Sequence, residues 1–419
     1  MLFLFRSSRP KGSNHRTKMR KGTLPTPVRH RVLDPFCGTG TTLVECKKQG
    51  IPSEGLESNP VVHFAACTKT NWAVSPSGLE THAQETAAAV HDMLRSAHCQ
   101  VPDAGPLYAH AASEATPLRR LSPEQERLLI ANSISPVPLH KALVLRDRIP
   151  REPPYGDHER LAYAKQLVSA ISNLRFGPEV GVGRIKADAP VVELWLAEVR
   201  HMAADLRQTQ MHSGIPAIVH RADARQADTV LPPESIDAVI TSPPYPNEKD
   251  YSRTTRLESV MLDFLRDRTD LRAQKSWSLR SNTRNVYKGD ADDAWIADNP
   301  RVQTLAATIE ARRRELGKTS GFEKLYARVV QLYFGGMARH LACLRPLLRP
   351  GARLAYVVGD QASYFRIPIR TGAILAEIAV SLGYELEAID LFRTRFSTAT
   401  QIHLREEVVV LHWQPSRAP

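Results

Sequence analysis

Cysteine is scarce in this 419-residue chain. The five cysteines (Cys37, Cys46, Cys67, Cys99 and Cys343) are unclustered and show no Cys-x-x-Cys spacing. That argues against a zinc site or disulfide scaffold and fits a reducing compartment, so a cytoplasmic location is expected. No apolar run approaches membrane-spanning length, and Met1 to Phe5 is too short for the core of a signal peptide. The 15 histidines show no ligand spacing, so no metal is expected. Acid is missing from particular places. Residues 1–31 hold nine Lys/Arg and no Asp/Glu, and Leu271 to Lys288 likewise carries no acid.

The net charge of +12 is therefore uneven. Besides the tail, residues 251–350 hold 19 basic against 11 acidic side chains. Basic excess outside a generic scaffold is the pattern expected for a polyanionic partner, although a solvated tail and a solvated helical face would read the same way. Residues 1–31, with little apolar periodicity, are expected to be poorly ordered.

Apolar periodicity divides the rest. Residues 32–72 read as strand, glycine loop, helix and strand, with Thr41 to Gln49 as the helix, closed by Gly50. Residues 78–212 are mostly helical, with runs at Leu79 to Ala97, Leu161 to Leu174 and Val191 to Leu206. Within them, Phe176 to Gly183 reads as a flexible loop. Strands resume at Ala217 to His220 and Ser235 to Thr241. Residues 246–320 look polar, basic and irregular. Leu325 to Leu344 predicts a helix, Arg353 to Val358 a buried strand and Thr371 to Leu382 a helix. Tyr384 to Leu391 and Glu407 to Trp413 predict a terminal strand pair. The alternation implies an α/β fold with a doubly wound parallel sheet. One discontinuous domain (32–77, 213–250 and 321–419) would then carry a helical insertion at 78–212 and a basic insertion at 251–320.

Two motifs sit on this frame. Asp34-Pro35-Phe36-Cys37-Gly38-Thr39-Gly40 follows the first strand. Gly38 and Gly40 let backbone pass close to a ligand, and Glu57 at the end of the next strand is placed to bind ribose hydroxyls. Leu43 stands where a dinucleotide fingerprint wants Gly or Ala, which disfavours a nicotinamide cofactor. Asp34 is placed to face a cationic group. The second motif, Ser242-Pro243-Pro244-Tyr245, follows the apolar strand Ile236 to Ile240. Two prolines remove two donors, Ser242 adds a hydroxyl that accepts from an amino group, and Tyr245 offers a face for stacking. Glu152-Pro153-Pro154-Tyr155 repeats the letters but follows a charged, proline-broken stretch, so it reads as a decoy.

Together the motifs resemble those of the S-adenosylmethionine-dependent amino-group DNA methyltransferases. The Ser form of the second motif is typical of N4-cytosine enzymes, and an Asp form is commoner in N6-adenine enzymes. The resemblance covers 32–72, 217–256 and about 325–413. It implies a Rossmann-like methyltransferase fold and a restriction-modification or defence setting. It also implies that Asp34, Phe36, Gly38, Thr39, Gly40, Glu57, Asn59 and Asp223 line the S-adenosylmethionine site, and that Ser242, Pro243, Pro244 and Tyr245 form the catalytic loop on a flipped base. The motif order excludes the permuted arrangement common among N4-cytosine enzymes. Family members usually carry a structured segment before the first strand that completes the methionine pocket, and residues 1–31 do not resemble it. The basic, aromatic-interleaved run after the catalytic loop is the candidate DNA contact, through Arg253, Arg272, Lys275, Arg280, Arg284 and Lys288, with Asn282 and Asn285 as base readers. The alternatives are N6-adenine or RNA amino-methylation, and an inactive nucleic-acid-binding protein on the same fold.

Overall fold

The computed structural model describes residues 30–96, 117–177, 179–397 and 400–415. The basic tail therefore lies outside the described residues, except His30 and Arg31. The chain opens with β1 (Val32–Asp34), α1 (Thr41–Lys48), β2 (Ser53–Leu56) and α2 (Pro60–Thr70). A helical block follows: α3 (Pro76–Ser96), α4 (Pro123–Glu126), α5 (Pro136–Arg148) and α6 (Gly156–Gln166). It continues with the small hairpin β3 (Leu174–Arg175) and β4 (Gly181–Val182), then α7 (Val191–Thr209). The sheet resumes with β5 (Ala217–His220) and β6 (Ile236–Thr241). Short helices α8 (Tyr251–Thr254), α9 (Arg256–Met261) and α10 (Arg268–Ser276) precede α11 (Pro300–Glu315) and α12 (Tyr326–Leu344). The described chain ends with β7 (Leu348–Gly359), α13 (Thr371–Ser381), β8 (Glu385–Ser397) and β9 (Ile402–Trp413).

The seven-stranded sheet has the order β5-β2-β1-β6-β7-β9-β8. Its first five strands are parallel, while β9 runs antiparallel to both β7 and β8. From β1 the chain winds outward through β2 and β5, then returns to β6 on the other side. The order reverses between β1 and β6, and ligands of open α/β sheets bind in the crevice at such a switch point. Both motifs follow these two strands. Leu33, Val239, Leu354 and Val409 of the sheet pack with Tyr333, Phe334 and Met337 of α12 in the main core. The helical block has a second core around Leu79, Tyr163 and Trp195, which also takes in Val61 of α2 and Leu257 and Val260 of α9. None of the described helices is long and apolar enough to cross a membrane.

Three local expectations change. Residues 246–320 are not irregular but largely helical. Asp250, Asp267 and Asn299 cap α8, α10 and α11 through side-chain oxygens, each worth about 1 kcal/mol. In α11 the buried residues Val302, Ala306 and Ile309 recur at spacings of four and three, a stripe partly hidden by the surrounding charge. Phe176 to Gly183 belongs to the β3–β4 hairpin, which the Asn173 carbonyl anchors by accepting the Gly183 N–H at 2.7 Å; Pro178 lies outside the described residues. The terminal strands are also longer than their apolar runs. Pairing of β7 with β9 ends at Gly359–Glu406, while four further β8–β9 pairs, Thr394–Arg405 to Ser397–Ile402, continue past it.

Candidate functional site

The loops after β1 and β6 line one cavity of about 480 Å³, within the usual size of small-molecule sites. Phe36 and Gly38 come from the first loop, Glu57 and Asn59 from the end of β2, Asp223 from the turn after β5, and all four residues Ser242 to Tyr245 from the second.

The first loop turns because Gly38 (φ 53°) and Gly40 (φ 81°) occupy the left-handed region, which costs glycine little. Their surroundings differ. A Cβ on Gly38 would meet nothing within 4 Å, so backbone is open to a ligand there, whereas one on Gly40 would lie 3.2 Å from the Ala66 Cβ. Gly40 thus permits close packing of α1 on α2. Neither Gly40 nor Thr39 lines the cavity; Thr39 is exposed and its hydroxyl accepts from Lys69 Nζ at 3.2 Å. Phe36 does line it, edge-on to His340 with ring centroids 4.9 Å apart.

Asp34 is turned elsewhere than expected. It is buried, and its Oδ1 accepts the Thr241 hydroxyl at 2.6 Å and the Phe36 N–H at 3.1 Å. Burial raises its carboxyl, an effect opposed by these donors. The carboxylate ties the end of β1 to the end of β6, holding the two motif loops together, and is absent from the cavity wall. Glu57 does reach the cavity. Burial pushes its carboxyl up to about 7 against the pull of the Asn59, Ser58 and Gly38 N–H groups. The Asn59 N–H lies 2.7 Å from Glu57 Oε1. A half-desolvated carboxyl beside an open glycine suits paired ribose hydroxyls.

Asp223 caps the turn after β5 and is clasped by Arg225, whose Nε lies 3.0 and 3.1 Å from its two oxygens. Arg225 also pairs with buried Asp292. Burial lowers the proton affinity of Arg225, but its ion pairs with Asp223 and Asp292 outweigh this and raise it above the ordinary value. Beneath it, buried His340 donates from Nδ1 to the Ala224 carbonyl at 2.8 Å and accepts the Tyr356 hydroxyl on Nε2 at 2.8 Å. Burial lowers its pKa to about 4, so the ring is neutral with its tautomer set by these partners. Sequence reading missed this histidine; its one signal is its place on the apolar stripe of α12.

The second loop leaves β6 with Ser242 exposed and Pro243 buried. The Tyr245 ring lies against Gly359 at the end of β7, where an added Cβ would come 3.1 Å from Cε2. Burial raises the Tyr245 hydroxyl pKa, a shift opposed by its hydrogen bond with Ser242. Gly359 thus sits beside the second motif; Asp360 is buried and paired with Arg370.

The basic run 271–288 is partly spoken for. Lys275 donates to buried Asp250 at 3.0 Å, and Arg280 is buried and paired with Asp290 at 2.7 and 2.9 Å. Neither offers a free cation to a phosphate, so the expectation for these two fails. Asn282 and Asn285 are also buried rather than presented to base edges, and Asn282 Nδ2 donates to the Lys249 carbonyl at 3.1 Å. Glu248 accepts both the Thr283 N–H (2.9 Å) and its hydroxyl (2.8 Å). The acids absent from the run come from Glu248 and Asp250 before it and Asp290 after it, and the first two lash it to the loop after β6. Arg272, Arg284 and Lys288 are exposed, Arg272 over Tyr287 and Arg284 over Phe322, each at 5.8 Å. Arg253 is half-buried, 4.0 Å from Glu179. At the same edge the β8–β9 hairpin exposes Phe392 (63%) and Phe396 (50%), while Arg393 pairs with Glu406 and Arg405 with Glu407.

Sequence comparison adds relatives. The chain is 30% identical over 168 residues to the Type II methyltransferase M.AvaI of Nostoc sp., and equally to that of Anabaena variabilis, covering 39% of this chain and 34% of theirs. It thus spans about a third of the length of these curated relatives. It is 24% identical over 411 residues to the Type II methyltransferase M.BsoBI of Geobacillus stearothermophilus, covering 88% of this chain and 76% of that one. No protein-family model matches. A solved Thermus thermophilus protein, a candidate DNA modification methylase, is 17% identical with a TM-score of 0.25 over 47% of this chain and 55% of its own. At that score it adds nothing to the fold read from the topology. Two motifs thus meet at one switch point, in a chain that is similar to Type II methyltransferases.

Proposed function

We propose that this chain transfers a methyl group from S-adenosylmethionine to an exocyclic amine of DNA, with cytosine N4 as the target, in a modification system of Type II kind. The observation that carries the reading is the shared cavity: Gly38 and Glu57 open onto the same space as Ser242 to Tyr245. The residues fit the donor. Gly38 presents open backbone, and Glu57 presents a carboxyl to ribose hydroxyls. The bound donor supplies an electrophilic sulfonium methyl.

This chain's own work is on the acceptor. An exocyclic base amine is a poor nucleophile because its lone pair is delocalised into the ring. The Ser242 hydroxyl and the Pro243 carbonyl accept its two hydrogens, drawing the nitrogen toward tetrahedral geometry and freeing the lone pair. Tyr245 stacks on the flipped base, and its own ring is held by Gly359. Much of the rate enhancement then comes from positioning. Arg253, Arg272, Arg284, Lys288 and the outer β8–β9 hairpin form the face that meets DNA, its cations on phosphates and Phe392 and Phe396 against bases. The Ser form of the loop supports cytosine over adenine.

Incubation with duplex DNA and isotopically labelled donor, followed by nucleoside mass spectrometry, tests the reading. Labelled N4-methylcytosine is expected. N6-methyladenine as sole product would overturn the cytosine assignment. DNA binding without donor binding would replace the enzyme with an inactive binding protein.

A further inference from the structure

The two motifs give the helical block no role, yet one wall of the cavity is built on it. Tyr251, Ser252, Thr254 and Thr255, from α8 and the turn into α9, line the cavity. The residues that follow leave the sheet's core for the other one. Leu257, Val260, Met261, Leu262 and Leu265 are buried and pack with Leu143, Tyr163 and Trp195 of the helical block. The start of α9 is tied to the opposite wall. The Thr255 hydroxyl accepts from Asn59 Nδ2 at 3.0 Å, and the Asn59 N–H in turn lies 2.7 Å from Glu57 Oε1.

Just past the end of α9, one side chain is gripped by the helical block. Asp263 stands in the left-handed region (φ 63°), with its N–H 3.1 Å from the Val260 carbonyl. Three side chains from the block converge on its carboxylate. Arg151 donates to Oδ2 at 2.6 Å, Gln125 of α4 donates to Oδ1 at 3.4 Å, and Arg146 of α5 lies 3.6 Å from Oδ1. Arg146 and Arg151 belong to the charged stretch before Pro153-Pro154-Tyr155, so the stretch that marks the decoy has a partner of its own. Two further bonds run between the same parts. Arg160 of α6 donates to the Leu262 carbonyl at 3.4 Å, and Arg256 of α9 donates to the Leu128 carbonyl at 3.3 Å. Asp263 itself is not on the cavity wall.

Exposed ion pairs contribute little stability, and the Arg151 side chain is 70% exposed. A non-glycine residue in the left-handed region persists where its surroundings hold it there. We propose that Asp263 is a positioning residue: the helical block grips it, and through α9 it holds the wall Tyr251 to Thr255 against Asn59 and the methyl donor. The helical block is then a working part of the methyl-transfer site. This rests on the donor-binding reading above and extends it to a residue outside the cavity.

Asp263→Gly in the full chain tests the proposal, because glycine keeps the left-handed turn at little cost while the carboxylate is lost. At saturating DNA and methyl donor, kcat is expected to fall about 10-fold, since small displacements far from the chemistry are felt there. S-adenosylhomocysteine affinity, measured by calorimetry, should fall about fivefold as the tie between Thr255 and Asn59 loosens. The melting temperature should shift by less than about 2 °C, as befits exposed ion pairs. Arg146→Ala/Arg151→Ala removes most of the grip from the other side and should reproduce both losses. Combining all three substitutions should add less than about twofold, because a shared interaction is lost only once. Wild-type kcat and affinity in Asp263→Gly, whatever its melt, would overturn the proposal, as would losses that multiply in the triple variant. Wild-type protein that binds no S-adenosylhomocysteine would overturn the donor reading itself, a result distinct from both.

Discussion

The chain contains Pro-Pro-Tyr twice, and the two copies have separate fates. Pro243-Pro244-Tyr245 leaves β6 at the reversal point of the sheet and lines the cavity. Pro153-Pro154-Tyr155 lies in the helical block, where Tyr155 caps the N-terminus of α6 and packs near His82 with ring centroids 5.5 Å apart. Each tyrosine lies against a glycine, Gly359 for Tyr245 and Gly78 for Tyr155. The packing device is the same in both. What differs is the strand before the motif, which carries Tyr245 to the cavity and has no counterpart before Tyr155. The letters encode a rigid turn with an aromatic; the topology decides whether that turn meets a ligand.

The pair can be broken experimentally. Tyr245→Ala is expected to lower kcat by about 100- to 1,000-fold by removing a positioning surface, with little change in the melting temperature. Tyr155→Ala should do the reverse, costing about 1–3 kcal/mol of stability and leaving turnover intact. Methyl transfer and thermal melts on both variants check this, and full activity in Tyr245→Ala would sink the catalytic-loop assignment.

The same contrast holds among the cations. Removing Lys275 or Arg280 leaves Asp250 or Asp290 without its charge partner, at an expected cost of about 3–5 kcal/mol for a buried pair. Arg272→Ala or Lys288→Ala should leave the melt unchanged and reduce the salt dependence of DNA binding by about one phosphate contact each. Equal salt slopes in all four variants would erase the distinction drawn from burial.

The smallest effect separates two carboxylates. Burial pushes both Glu57 and Glu258 up to about 7, but only Glu57 lines the cavity. Ribose hydroxyls favour the ionised form, so S-adenosylhomocysteine affinity is expected to fall several-fold as pH drops from about 8 to about 6. Glu57→Gln should flatten that profile and Glu258→Gln should not. For stability the sign is opposite. With folded pKa values above the unfolded value, each group favours the unfolded chain progressively as pH rises through the window from about 4.5 to 7, so Glu258→Gln should flatten the pH dependence of the melt there.

Much of the sheet was legible because its signals are local. Short apolar runs bounded by Gly and Pro marked β1, β2, β5, β6 and the middle of β7, and Gly38 and Gly40 marked the first loop. The helices of 246–320 were hidden because their caps are ordinary aspartates and asparagines and their buried stripes are short. Lys275 and Arg280 were misread for another reason. Their partners Asp250 and Asp290 lie 25 and 10 residues away, outside any window that reads a run as uncompensated charge. Asp34 was read from its neighbours in sequence, but its partner is Thr241, 207 residues on.

The sequence by itself determined the alternation of strand and helix, the two motifs and their order. These depend on periodicity and backbone preference, which act over a few residues. Only the tertiary structure decided which charges are free, which carboxylate reaches the cavity and which segment closes it. Those are questions of burial and pairing. A carboxylate is a ligand group or a structural tie according to what lies within about 3 Å of it, and in this fold that neighbour comes from a distant strand.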